Sequence, residues 1–181
     1  MEHLILGLLM LSPMTGYELQ QFIKHNLSLI CSHSAGSVQT ALTKLEREGK
    51  LSASEALEGK RRKKTFSITE EGRACFASWV AQPMDASKVK NMELSRLFFL
   101  GLAQPEERIA AIRDYIRQME EAEAVLLTIR ARFEQLRESQ LPPGRDWQSI
   151  LRFQGHTIEY GIAAARFEQD WYGRLLTTME G

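Results

Sequence analysis

The chain has 181 residues, with 23 Lys and Arg against 23 Asp and Glu, for a formal net charge of zero. That length suits one domain or two small ones with a real core, and the charge balance excludes a histone-like or ribosomal basic protein and an acidic tail protein. The longest apolar run, residues 4–11, is too short to span a bilayer. Glu2 and His3 stand where a signal peptide would carry basic residues. Two cysteines, Cys31 and Cys75, cannot build a disulfide framework, so the expected compartment is the cytoplasm, with no membrane partner.

Residues 4–10 read as a short buried helix closed by Ser12 and Pro13. Thr15 N-caps a second helix, with Glu18 completing a capping box and Tyr17, Leu19, Phe22 and Ile23 on the inner side. A third helix starts between Ser34 and Ser37. Val38, Ala41, Leu42 and Leu45 form its apolar stripe, and Gly49 stops it. The period then changes to two. Leu51, Ala53 and Leu57, then Phe66 and Ile68, predict two strands joined by a loop rich in Gly and cations. That loop carries Lys60, Arg61, Arg62, Lys63 and Lys64, and no other stretch of the chain resembles it. Thr69 opens a fourth helix bearing Cys75, Phe76 and Trp79, which Pro83 ends.

Residues 83–92 read as a linker, and the remainder as wholly helical. A short helix from Glu93 carries Phe98 and Phe99. Pro105 occupies the first turn of a long helix, with Glu106 and Glu107 favouring its dipole. Ile109, Ile112, Ile116 and Met119 step by three and four, and Leu126, Ile129, Phe133 and Leu136 repeat the steps, as in a coiled-coil seam. After Pro142, Pro143 and Gly144, Asp146 caps a last helix with Ile158, Ile162, Ala165 and Tyr172 on its apolar side. The seam is too long to be covered by a small domain, which predicts a dimer. The alternative is a hairpin within one chain.

The order helix, helix, helix, strand, basic loop, strand, helix is that of a winged helix-turn-helix. The expected fold is mainly α with a small β-wing: a DNA-binding domain over 1–82, a linker over 83–92, and a helical dimerisation domain over 93–181. The third helix has a polar outer side of Ser34, Ser37, Gln39, Thr40, Thr43, Lys44 and Arg47, side chains suited to base edges and phosphates. The five cations of the loop would neutralise phosphates of the same duplex and make binding salt-dependent. One such helix reads few base pairs, so a palindromic double-stranded operator and a two-fold dimer are expected.

These residues also carry a resemblance. The chain resembles the PadR family of bacterial transcriptional regulators through Ile5-Leu6-Gly7-Leu8-Leu9, Gly16-Tyr17-Glu18-Leu19, Gly36-Ser37-Val38, Leu45-Glu46-Arg47-Glu48-Gly49, the wing cations, and Phe66-Ser67-Ile68-Thr69-Glu70-Glu71-Gly72. The second half resembles the long, virulence-activator-type C-terminal region of that family. Two departures stand out. Gln39 and Thr40 replace a tyrosine and proline usual in the recognition helix, and the wing lacks a proline after its first arginine. The resemblance implies a homodimer whose C-terminal helices clasp the partner's first helix, which brings Leu4 and Leu8 into the interface. It also implies repression as the commoner mode, and a small aromatic effector. Phe98, Phe99, Trp147, Phe153, His156, Tyr160, Trp171 and Tyr172 are the side chains available for an effector cavity, with core and dimer packing as their competing use.

Other classes find little support. The chain has no phosphate-binding glycine loop, nucleophile elbow or His-Glu-x-x-His motif, so an enzyme is not expected. His156 and Glu159 lie one turn apart without further ligands at matching spacing, so neither a metal nor a cofactor is expected. Cys31 and Cys75 are expected in core packing rather than redox sensing. A winged-helix interaction module that binds no DNA is the remaining alternative.

Overall fold

A computed structural model describes residues 1–27, 34–58, 61–84, 91, 93–136 and 141–180. The chain divides into two compact units, Met1–Met84 and Asp85–Gly181. Cys31, Lys60 and most of the expected linker lie outside the described residues.

The first unit runs α1 (Glu2–Leu11), β1 (Met14–Thr15), α2 (Gly16–Asn26), α3 (Ala35–Arg47), β2 (Leu51–Glu58), β3 (Arg61–Ile68) and α4 (Glu70–Val80). Its antiparallel sheet has the order β1-β3-β2. The core is the sum of the inner faces: Ile5, Leu6, Leu8 and Leu9 from α1, Leu19 and Ile23 from α2, the Val38-Ala41-Leu42-Leu45 stripe of α3, and Leu51, Phe66 and Ile68 from the sheet. Each fully buried Leu or Ile contributes roughly 1.5–3 kcal/mol from burial alone.

Local chemistry sets the helix ends. Thr15 and Glu18 form the capping box, with the Thr15 amide donating to the Glu18 carboxylate at 2.7 Å and the Glu18 amide to Thr15 Oγ1 at 3.1 Å. Gly49, at φ +69°, ends α3 in a left-handed residue. The Gly49 amide returns to the Glu46 carbonyl and the Lys50 amide to the Leu45 carbonyl, a Schellman closure. Thr69 caps α4 by accepting from the Gly72 amide.

The structure corrects three sequence expectations here. Tyr17 is not on the inner side of α2 but 70 % exposed at its first turn. Ala53 is exposed, because, of the first six residues of β2, the core covers Leu51 alone and residues 52–56 lie open to solvent. The basic segment is not a loop: Arg61, Arg62, Lys63 and Lys64 belong to β3, paired with Glu58, Leu57, Ala56 and Glu55 of β2. The β ladder continues through the cations, since a two-stranded ribbon offers charged side chains as much water as a loop does.

The second unit contains α5 (Glu93–Phe99), a 3-10 turn (Leu100–Leu102), α6 (Pro105–Phe133) and α7 (Trp147–Glu180). At 1.5 Å per residue the two long helices measure about 43 and 51 Å. They pack as an antiparallel hairpin whose interior holds Ile112, Leu126, Ile162, Ala165 and Tyr172. Polar ties cross it. Glu123 accepts from Arg166 Nε at 2.6 Å and Gln169 Nε2 at 2.9 Å, and Gln169 also donates to the Met119 carbonyl at 3.2 Å. Tyr115 donates to Glu168 and packs against Tyr172, with the rings tilted by 54° and their centroids 4.6 Å apart. α7 of the same chain covers part of the seam: Leu126 is buried, Ile129 and Phe133 are half-buried, and Leu136 is exposed. Ile112, Ile162, Ala165 and Tyr172 are buried within the hairpin, Ile109, Ile116, Met119 and Ile158 are half-buried, Leu8 is in the first unit's core, and Leu4 packs against that core.

Candidate nucleic-acid interface

The helix α3 is amphipathic by sequence, and its geometry divides its polar residues in two. At about 100° per residue, Val38, Ala41, Leu42 and Leu45 centre the buried stripe. Opposite it, Gln39, Thr43, Arg47 and Thr40 fall within an arc of about 100°, and all four are exposed. Gly36 shares this face, and a Cβ added there would meet no described residue within 4 Å. Among the described residues, the face is thus open from the first turn of α3 to its last.

The chemistry of that face suits base edges. Thr43 Oγ1 donates to the Gln39 carbonyl at 3.0 Å, which leaves its oxygen able to accept. An acceptor of that kind suits the amino group of adenine or cytosine. The Gln39 amide has the donor and acceptor pair that matches adenine, and Arg47 the fork that matches guanine or a phosphate.

Three further predicted residues, Ser34, Ser37 and Lys44, also hold contacts within the fold. Ser34 is the N-cap: its Oγ accepts from the Ser37 amide at 3.2 Å, and Ser37 Oγ donates back to the Ser34 carbonyl at 2.8 Å. Both hydroxyls take part in starting the helix, and each keeps hydrogen-bonding capacity. Lys44 lies on the flank, about 140° from Gln39. Its ammonium is held by Glu2 of α1 at 2.8 Å, with Glu48 at 3.9 Å. The Glu2 hydrogen bond raises the Lys44 pKa. Lys44 therefore ties α3 to α1 from the flank of the polar face.

The strand β3 supplies the cations. Lys64 Nζ lies 5.0 Å from the Phe66 ring centroid, two residues on, and reaches Glu46 of α3 at 2.9 Å. Lys63 extends toward Glu18 of α2, at 3.8 Å. The Glu18 carboxyl is held below its usual range, first by the Thr15 amide and hydroxyl and then by Lys63. As partners of these cations, Glu18 and Glu46 escaped the sequence reading. Glu46 was legible, because it follows Thr43 by three residues and Gln39 by seven and so shares their face.

In the second unit, a cavity of about 270 Å³ opens between α5, α6 and α7, lined among others by Leu97, Ile112, Tyr115, Gln118 and Tyr172. Of the eight residues named for an effector cavity, Tyr172 lines this one. His156 lines a shallower one at the hairpin tip, with Phe133. Phe98, Phe99, Phe153 and Tyr160 are exposed rather than gathered round either, and Trp171 is at the surface. The Trp147 indole donates to the Pro142 carbonyl at 2.6 Å. Among the described residues no group of three His, Cys, Asp or Glu side chains is disposed to hold a metal, and no helix is long and apolar enough to cross a membrane.

Comparison with known proteins agrees with this architecture. A curated relative, the negative transcriptional regulator PadR of Bacillus subtilis, is 25 % identical over 145 residues, covering 78 % of each chain. The structure of smu.1604c from Streptococcus mutans UA159 is 25 % identical with a TM-score of 0.79, covering 97 % of this chain and 98 % of that one. B. subtilis PadR solved with operator DNA superimposes at a TM-score of 0.75 and 19 % identity, covering 98 % and 96 %. The same protein solved with p-coumaric acid gives 0.70 and 18 %, covering 99 % and 98 %. The Vibrio cholerae virulence activator AphA gives 0.73 and 18 %, covering 99 % and 97 %. Residues 5–78 match the transcriptional regulator PadR-like family and residues 89–180 the virulence activator alpha C-terminal family. The chain belongs to the PadR-like family of transcriptional regulators, in the long form that carries a virulence-activator-type helical region.

Proposed function

We propose that this regulator is a homodimeric repressor that binds a palindromic double-stranded operator, reading bases with Gln39, Thr40, Thr43 and Arg47 and holding phosphates with the cations of β3. The observation that carries this reading is the polar face of α3, open among the described residues, beside a strand that concentrates Arg61, Arg62, Lys63 and Lys64. Repression is supported by the name of the B. subtilis relative, a negative regulator that was also solved on operator DNA.

The dimer is supported by the apolar surface left on the second unit once the hairpin has formed. Leu94, Phe98, Phe99, Phe153, Tyr160 and Phe167 are all more than half exposed. An exposed apolar surface of that extent marks a binding face. These residues, rather than the hairpin interior, are the ones for a partner to cover.

A small aromatic effector is part of the same proposal. B. subtilis PadR was solved with p-coumaric acid, and the cavity beside Tyr115 and Tyr172 offers this chain aromatic walls with polar groups nearby.

Selection of bound duplexes from a random pool, followed by titration over a range of salt, tests the reading. A two-fold consensus bound with a steep salt slope supports it. Absent or salt-independent binding points to an interaction module instead. Sizing the full chain in solution tests the dimer, and a monomer overturns it.

A further inference from the structure

The polar side of the first unit, where α3 and β3 meet, carries carboxylates among its cations. Glu46 sits about 20° from Gln39 around α3, on the same side as Gln39 and Thr43. Its Oε2 holds Lys64 Nζ at 2.9 Å. The Lys64 side chain crosses the Phe66 ring to get there, so the pair joins β3 to the recognition helix. The contact is open to water on both sides, at 43 % exposure for Lys64 and 38 % for Glu46. Such a pair is weak and exchanges readily.

We propose that Glu46 is an intramolecular stand-in for a DNA phosphate: it occupies Lys64 in the free protein and must be displaced before that cation can contact a duplex. The inference rests on the DNA-binding reading above and adds to it a residue that sets affinity. Two consequences follow from charge accounting. Exchange of Glu46 for a phosphate frees one counterion from DNA and recruits another to the uncovered carboxylate, so Lys64 adds little to the salt slope while Glu46 is present. The uncovered carboxylate then also faces the phosphates. Both effects lower affinity for every duplex, which leaves occupancy more dependent on base contacts. This fits a chain with no net positive charge.

The test is a double-mutant cycle on the full-length chain with a random-sequence duplex, using E46Q, K64Q and the double variant. Circular dichroism and thermal unfolding confirm that each is folded. E46Q is expected to tighten binding by about 1.5- to fivefold per chain, the range an exposed ion pair commands. It should also steepen the salt slope by up to about one unit per chain. The gain should be larger with Lys64 present than in the K64Q background, because only then is there a pair to break. Equal gains in the two backgrounds, or no gain, overturn the proposal. A wild-type chain that binds no duplex at low salt overturns both this inference and the reading beneath it.

Discussion

Thr69 Oγ1 donates to the Gly49 carbonyl oxygen at 2.7 Å, while the Thr69 amide donates to the Lys50 carbonyl at 3.1 Å. One residue thus joins the turn that ends α3 to the start of α4, twenty positions on. Helix α3 is anchored at its C-terminal end by the element that follows β3.

That junction has no room for a side chain at Gly72. A Cβ there would lie 2.2 Å from the Lys50 carbonyl oxygen and 2.7 Å from Ile68 Cγ1. Since the first obstacle is backbone, relief requires α4 to move. Gly72→Ala is expected to destabilise the first unit by about 1–3 kcal/mol or more, read as a lowered Tm. Gly36→Ala, where nothing lies within 4 Å, should leave Tm unchanged or raise it slightly, since alanine favours a helix over glycine.

Leu42 is fully buried where α3 meets α2 and the sheet. Leu42→Ala should cost about 2–5 kcal/mol, measured by denaturant unfolding. Gln39→Ala, one turn away on the exposed face, should be near neutral for stability. Comparing the two separates the structural side of α3 from its recognition side.

Much of this was legible in the sequence, and the failures share a cause. Caps, glycine stops and the apolar stripe of α3 are local signals, set by residues within a turn of one another, and they located α1 to α4. The strand cations were misjudged as a loop because a charged run has no hydrophobic period to read. The tie between Lys44 and Glu2 is not legible in the sequence, because the two are 42 residues apart and nothing local announces the pair. The long seam was legible as a seam, but period alone does not say whether the covering helix belongs to the same chain.

Glu123 predicts an acid dependence for the second unit. Gln169 and Arg166 hold its carboxyl below the usual range. A carboxyl whose folded pKa is lowered contributes stability above its unfolded value of about 4.3, and that contribution is lost as pH falls through the folded pKa. Thermal unfolding of wild type and E123Q should therefore diverge most above that unfolded value and converge at lower pH. Curves that stay parallel down to strong acid would contradict the assigned role.

Phosphate and base contacts should separate by variant. Alanine at Lys60, Arg61, Arg62, Lys63 and Lys64 together should weaken binding to all duplexes and flatten the salt slope by about one unit for each phosphate no longer neutralised. Gln39→Ala or Thr43→Ala should leave the slope and relax preference at single positions, by about 1–3 kcal/mol for a bidentate pairing with a base.

The central claim is that α3 reads bases while β3 holds phosphates. Its most direct measurement is the affinity of wild type and Gln39→Ala for a selected operator and for a random duplex, across a salt series. The account predicts a steep salt dependence on both duplexes for both proteins, with Gln39→Ala weakening the operator complex alone. Equal losses on operator and random DNA, or wild-type binding that ignores salt, would contradict it.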